Sequence, residues 1–325
     1  MVTNLTKDED KIISLSRDFM FGIVFNKEEN IPILEHLLSA YLAVPLKDIK
    51  GNVKLLSRRQ IPINYREAKK EVDVLLSLNG EKYNIEMNAC GFGKYTKKRN
   101  LIFAAKVLAQ EYKRGDNTLA DAHNVLQINF NASTSSFNGE KPVHLISEFT
   151  FREKNKPDIE YSDILKIDVI DMAKALDSSY NYVDEREKAI AHWCRLLLSN
   201  SLSEIKDEGG MIMDEESLEK LMKEMKDLSS NEEVVKMDWE FTKQEIGHYD
   251  EIAEARAEVI EQGHAAGVAE GIEQGHAAGV AEGLAEGRLE ERALLFETMR
   301  ANGMSDDDIA RVTGITVEEQ KRLIK

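Results

Sequence analysis

The stretch EVDVLLSLNGEKYNIEMN, residues 71–88, holds the strongest short turn signal in the chain, Asn79-Gly80. Asn-Gly between two apolar runs favours a two-residue type I′ loop, whose central residues both need positive φ. Such a loop sets the register of the strands it joins, and the register sets the face of every side chain. Leu78 is then expected opposite Glu81, Leu76 opposite Tyr83, Val74 opposite Ile85 and Val72 opposite Met87. That row is apolar beyond the turn and belongs on a core. The other row pairs Ser77 with Lys82, Leu75 with Asn84 and Asp73 with Glu86. Glu71 and Asn88 extend it into a polar patch.

Asp73 opposite Glu86 needs a reason. Like charges directly opposed on a sheet destabilise it by up to about 1 kcal/mol. A divalent cation between them converts repulsion into coordination, and Mg²⁺ is often held by one or two carboxylates with waters and substrate phosphate completing its shell. Solvation of both acids, or protonation of one, is the alternative. The cluster KYTKKR begins six residues past Asn88 and ends eleven past it. Carboxylates for a metal beside cations for phosphate is the layout of metal-assisted phosphodiester hydrolysis. A basic helix start also serves as an ordinary solvated face, so both readings stand at this level.

The overall charge does not settle the partner. Net charge is −16 over 325 residues, which by itself argues against nucleic acid. The charge is uneven, however. Residues 201–260 carry 18 acids against 7 Lys and Arg, whereas residues 91–114 carry 7 Lys and Arg against the single acid Glu111. The surface beside the hairpin is therefore basic. Two cysteines, Cys90 and Cys194, are too few and too far apart for a disulfide framework or a cysteine zinc site, and fit a reducing, cytoplasmic setting. The first residues show no basic-then-apolar leader pattern. No run of about 18 apolar residues appears, so no membrane span is expected.

Strand and helix patterns interleave up to residue 170. SRDFMFGIVF and IPILEHLLSAYLAV read as apolar, helical segments; Ile33, Leu34, Leu37, Leu38, Tyr41 and Leu42 recur at helical spacing, and Pro32 suits a first turn. TKKRNLIFAAKVLAQEYKRGD reads as an amphipathic helix, with Thr96 as its cap and Gly115 as its stop. HNVLQINF, VHLISEFTF and DILKIDVIDM read as strands, the last with Leu165, Ile167 and Val169 alternating. From about 171 to 238 the pattern is helical. The expected class is an α/β mixed sheet flanked by helices, with a helical C-terminal extension.

The tail has its own grammar. EQGHAAGVAEGI at 261–272 recurs as EQGHAAGVAEGL at 273–284, and glycines recur every fourth residue from 263 to 287. Glycine opposes helix by roughly 1 kcal/mol each. Val268, Ile272, Val280 and Leu284 form a parallel apolar row, so two chains could pack along the glycine groove; a duplicated spacer is the plainer reading. His264 and His276 lie roughly 120° apart on a helix and do not share one metal. Beyond 290, Ser305/Asp308 and Thr316/Glu319 read as cap pairs of short helices. IARVTG resembles a helix-turn-helix corner, but Glu318 and Glu319 stand where a recognition helix meets phosphate, and a small structural bundle is favoured. The chain thus divides into 1–240 with a helical annex from about 171, a glycine-repeat segment at 241–290, and a helical segment at 291–325.

The order of these motifs resembles a known family. Asp73, a hairpin and NIEMN, with Glu86-x-Asn88, resemble the D…(D/E)-x-K core of the restriction-endonuclease-like superfamily. DVLL, YNIEMN and KRNLIFAAKVLAQEYKRGDN are similar to the Rpn group of recombination-promoting nucleases, transposases of the PD-(D/E)XK type. The likeness covers roughly residues 10–240. It implies a Mg²⁺- or Mn²⁺-dependent DNA endonuclease linked to recombination or mobile elements. Asp73 and Glu86 would be the metal ligands, and Glu86 with Asn88 would orient the attacking water. Lys94, Lys97, Lys98 and Arg99 would meet DNA, and Asp18 or Glu35 would add an acid from an early helix. The departure is Asn88, where the superfamily usually has Lys and this group Gln. A nuclease fold retained for DNA binding or self-assembly is the alternative that this departure keeps open.

Overall fold

A computed structural model of the chain describes residues 10–57, 72–89, 94–110, 122–137 and 139–323. They fall in two compact units, Met1–Glu245 and Ile246–Lys325. In the first unit six strands form one sheet: β1 (Val53–Leu55), β2 (Val74–Leu78), β3 (Glu81–Asn88), β4 (Val125–Asn131), β5 (Ile146–Arg152) and β6 (Glu160–Asp171). Their spatial order is β1-β2-β3-β4-β6-β5. β3 runs parallel to β4 and β4 parallel to β6; the remaining pairs are antiparallel.

The Asn79-Gly80 turn does what its residue types dictate. Asn79 has φ 53° and Gly80 φ 95°, the two positive values of a type I′ loop. Leu78 pairs with Glu81, Leu76 with Tyr83 and Val74 with Ile85, in the expected register. The ladder ends there, and Val72 departs from expectation. The Asp73 side-chain Oδ2 takes the Met87 N–H at 2.8 Å, and its carbonyl accepts from Asn26 Nδ2 at 2.5 Å. The backbone therefore leaves the ladder before Val72, which is buried on the opposite face of the sheet with Leu75.

The two faces have different covers. On one, Val74, Leu76, Tyr83, Ile85, Met87, Ile128, Phe130 and Ile170 pack with α1 (Asp18–Phe25), α2 (Ile31–Leu42) and, beyond the short α3 (Leu46–Ile49), with later helices. Ile33, Leu34, Leu37, Leu38 and Tyr41 are buried there, as the helical spacing requires, and Pro32 lies in the first turn of α2. On the other face lies α4 (Lys94–Ala109). Parallel neighbours such as β3 and β4 need a crossover connection, and α4 is that connection. Phe103, Ala104 and Val107 seat it on Leu75, Val125 and Leu165. Thr96 falls inside α4, which already begins at Lys94, so it is no cap; Gly115 lies outside the described residues.

The helical annex is α5 (Glu185–Leu198), α6 (Leu202–Gly209), α7 (Glu215–Ser229) and the long α8 (Glu232–Ala301), which is assigned to the first unit up to Glu245. Asp184, Ser201 and Asp214 cap the first three by accepting a backbone N–H three residues on. In the second unit α8 is followed by α9 (Asp306–Thr313) and α10 (Val317–Leu323). Ser305 Oγ accepts the Asp308 N–H, and Thr316 exchanges side-chain and backbone hydrogen bonds with Glu319. Both expected cap pairs are formed. Among the described residues no helix is long and apolar enough to cross a membrane.

Candidate active site

The site begins with the period of two along β3. Asn84, Glu86 and Asn88 share the face opposite the large core, beneath α4. Glu86 is only 2% exposed and Asn88 3%. The Asp73 backbone N–H lies 3.4 Å from Glu86 Oε1, while the Met87 N–H donates to Asp73 Oδ2. The two carboxylates thus stand side by side, each tied to the other's strand. Burial pushes the Glu86 carboxyl well above the usual carboxylate range, and the charge of Asp73 pushes it further the same way. Arg99, the Asp73 N–H and Asn84 oppose that shift without cancelling it.

A buried carboxyl beside a second acid is stabilised by a proton or a cation. Both partners offer hard oxygen donors, the set Mg²⁺ and Mn²⁺ take. Among the described residues no cluster of three or more His, Cys, Asp or Glu is close enough to hold an ion. Asp73 and Glu86 offer two carboxylates, the number with which Mg²⁺ is often held when substrate phosphate and water complete the shell. The residues fit such an ion.

The two early acids part company. Glu35 is buried in α2 and accepts the Gly51 N–H at 2.6 Å, anchoring the turn after α3. Asp18 opens α1 and lines a cavity of about 360 Å³ with Phe19, Gly22, Ile23, Met237 and Asp73. Of the two, Asp18 shares a cavity with Asp73, and Glu35 does not line it.

The basic start of α4 is also resolved residue by residue. Arg99 Nη2 donates to Asn88 Oδ1 at 2.6 Å. Lys97 Nζ donates to the Ser136 carbonyl at 2.7 Å and stands over the Phe137 ring, pinning the loop after β4. Lys98 is exposed. The side chain of Lys94 and residue Glu71 lie outside the described set.

Beneath these groups runs a layer of amides that sequence reasoning missed. Asn84 Nδ2 donates to Gln127 Oε1 (2.6 Å), Gln127 Nε2 to Asn129 Oδ1 (2.9 Å), and Asn129 Nδ2 to the Asp168 carbonyl (3.0 Å). A second chain runs from Asn88 Nδ2 to Asn131 Oδ1 (2.8 Å), from Asn131 to Ser135 Oγ (2.9 Å), and from the Ser135 N–H to Asp171 (3.0 Å). The signal was present in VLQINFN, which places Gln127, Asn129 and Asn131 at every second position of a strand.

A mixed sheet with a βαβ crossover, carrying one carboxylate on β3 and another just before β2 under a basic helix, defines the restriction-endonuclease-like class of α/β protein. Comparison with family models agrees: the model described as PD-(D/E)XK nuclease family transposase matches residues 15–255, and the chain belongs to that family. No curated protein and no solved structure matches it.

Proposed function

We propose that the chain is a Mg²⁺- or Mn²⁺-dependent DNA endonuclease, acting in the cytoplasm in DNA recombination or mobile-element movement. The observation that carries this reading is the Asp73–Glu86 pair: two acids locked together by backbone hydrogen bonds, one of them buried, on the sheet face that α4 crosses. Asp73 and Glu86 would hold the ion; Asp18 lines the same cavity as Asp73. The chemistry supplied by such an ion is polarisation of the scissile phosphate and acidification of a water. Lys98, exposed at the start of α4, gives the phosphate backbone a cation to meet.

The test is cleavage of supercoiled plasmid and labelled linear duplex with Mg²⁺ or Mn²⁺. The wild type is expected to cut, and Asp73→Asn and Glu86→Gln to lose cutting while melting as folded proteins. A wild type that leaves both substrates intact with both ions sinks the reading. Asn88 favours one other outcome. It stands where the superfamily usually has Lys, and each end of its amide already has one partner, Arg99 and Asn131. A fold kept for DNA binding or assembly would bind duplex without metal and cut nothing. Self-association through residues 261–287 belongs to either reading.

A further inference from the structure

Resting on the nuclease reading, we propose that Arg99 is the cation of the cleavage site. Its guanidinium, held by Asn88 beside the Asp73–Glu86 pair, stabilises the charge that builds on the scissile phosphate, and Asn88 is its positioning residue.

The argument starts from what a guanidinium can do. It only donates, so the Asn88 atom that Arg99 touches is the carbonyl oxygen. The Asn88 NH₂ must then face the other way, and it does, toward Asn131 Oδ1. Asn131 is fixed in turn by Ser135, whose N–H is held by Asp171. The amide at position 88 is therefore locked with its oxygen aimed at Arg99. This is an arrangement for holding a cation. Asn88 itself is buried at 3% exposure, whereas Arg99 remains exposed; its Nε reaches Asn100 Oδ1 at 3.4 Å, and Nη1 is left to meet a ligand.

Position relative to the acids supports the role. Asn88, which holds Arg99, follows Glu86 by two on the same face of β3, so the guanidinium is brought to the side of the sheet that carries Glu86, and its charge acts on that carboxyl. Among the described residues it forms no ion pair with a carboxylate within 4 Å. Lys97, two residues earlier, is committed to the Ser136 carbonyl and the Phe137 ring. In the hydrolysis, the water oxygen forms a new P–O bond and the bridging P–O bond to one sugar oxygen breaks. The water gives up a proton to solvent and the leaving oxygen takes one up; no redox change occurs. Negative charge concentrates on the phosphate oxygens in between. Arg99 exchanges no proton and supplies fixed hydrogen-bond donors to that charge, the kind of contribution whose removal costs roughly 100- to 1000-fold.

The closing experiment measures single-turnover cleavage of labelled duplex DNA, its dissociation constant by anisotropy without metal, and thermal melting. The variants are Arg99→Ala, Arg99→Lys, Asn88→Lys and the Asn88→Lys/Arg99→Ala double. Arg99→Ala should cut roughly 100-fold more slowly with DNA affinity and melting close to wild type. Arg99→Lys should lie between. The double variant should recover at least about tenfold over Arg99→Ala, because a lysine at 88 brings its charge to the same rim. Arg99→Gln repeats the loss if alanine disturbs packing. Wild-type cutting by Arg99→Ala overturns the proposal alone. So does a loss of affinity matching the loss of rate, since that is a DNA clamp, and so does a folded, DNA-binding double variant with no recovery. A wild type that never cuts overturns the nuclease reading and this proposal with it.

Discussion

At the scale of single residues, the site is a balance of charges held out of water. Glu86 carries a folded-state pKa raised first by burial and then by Asp73. A carboxyl raised in this way holds its proton longer in the folded chain than in the unfolded one, where it titrates near ~4.3. Its contribution to stability is therefore fully present at low pH and is lost as pH climbs from that value through the folded one. Asp168, raised to about 6 by burial despite its Tyr41 hydrogen bond, works in the same direction. Comparison with Glu86→Gln isolates Glu86. The metal-free Glu86→Gln protein should melt above the wild type at pH 7.5, and the gap should close toward pH 4. At pH 7.5, Mg²⁺ or Mn²⁺ at a hundredfold excess over its Kd should stabilise the wild type by about 2.7 kcal/mol and leave Glu86→Gln unmoved. A gap that widens toward pH 4, or an equal metal effect on both proteins, would contradict the assignment of Glu86 as a ligand. Asp18 and Glu35 teach the same lesson about context. Their types are alike in the sequence; only the fold shows that one carboxylate is consumed by the Gly51 N–H and the other faces a cavity.

At the scale of elements, the hairpin was legible because local chemistry decides it. Asn79 and Gly80 dictate the turn, the turn dictates register as far as Val74–Ile85, and hydrogen bonds just beyond it hold Asp73 beside Glu86. Gly80 is where this can be tested. At φ 95° an added Cβ is strained by its backbone conformation, and it would stand 2.7 Å from the His123 ring. Gly80→Ala is expected to cost about 1–2 kcal/mol in urea unfolding, whereas Asn79→Gly should be close to neutral because both residue types accept positive φ. Equal costs at the two positions would mean the turn does not hold the register. What was not legible depended on partners distant in sequence. Val72 left its expected row because Asp73 spends its side chain on the Met87 N–H. Thr96 lost its cap role to an earlier helix start. Arg99 reaches Asn88 only because the parallel pairing of β3 and β4 forces α4 across the face that carries Glu86; no spacing of eleven residues says that by itself. The amides of β4 were visible as a pattern, but their meaning needed Asn84 and Asn88 beside them.

At the scale of the molecule, the family match explains residues 15–255 and leaves the glycine repeat to be explained by physics. The repeat is helical, within α8, although seven glycines from 263 to 287 each oppose that state. A Cβ added at any of them meets nothing within 4 Å in the single chain. Val268, Ile272, Val280 and Leu284 are all exposed. Two explanations then make opposite predictions for Gly271→Ala/Gly275→Ala/Gly279→Ala. In a lone spacer helix the substitutions remove conformational freedom from the unfolded chain and add helix propensity, roughly 1 kcal/mol each, with no change in mass in solution. In a helix that packs closely on a second copy, the same methyl groups fill the groove that lets two backbones approach, and association weakens although the helix itself is stronger. We expect the second result: sedimentation equilibrium of the full chain across a range of concentrations should show the wild type self-associating and the triple variant shifted toward the monomer, while circular dichroism shows its helix content unchanged or higher. A wild type that stays monomeric throughout, or a triple variant that associates as strongly, would leave the repeat as a spacer.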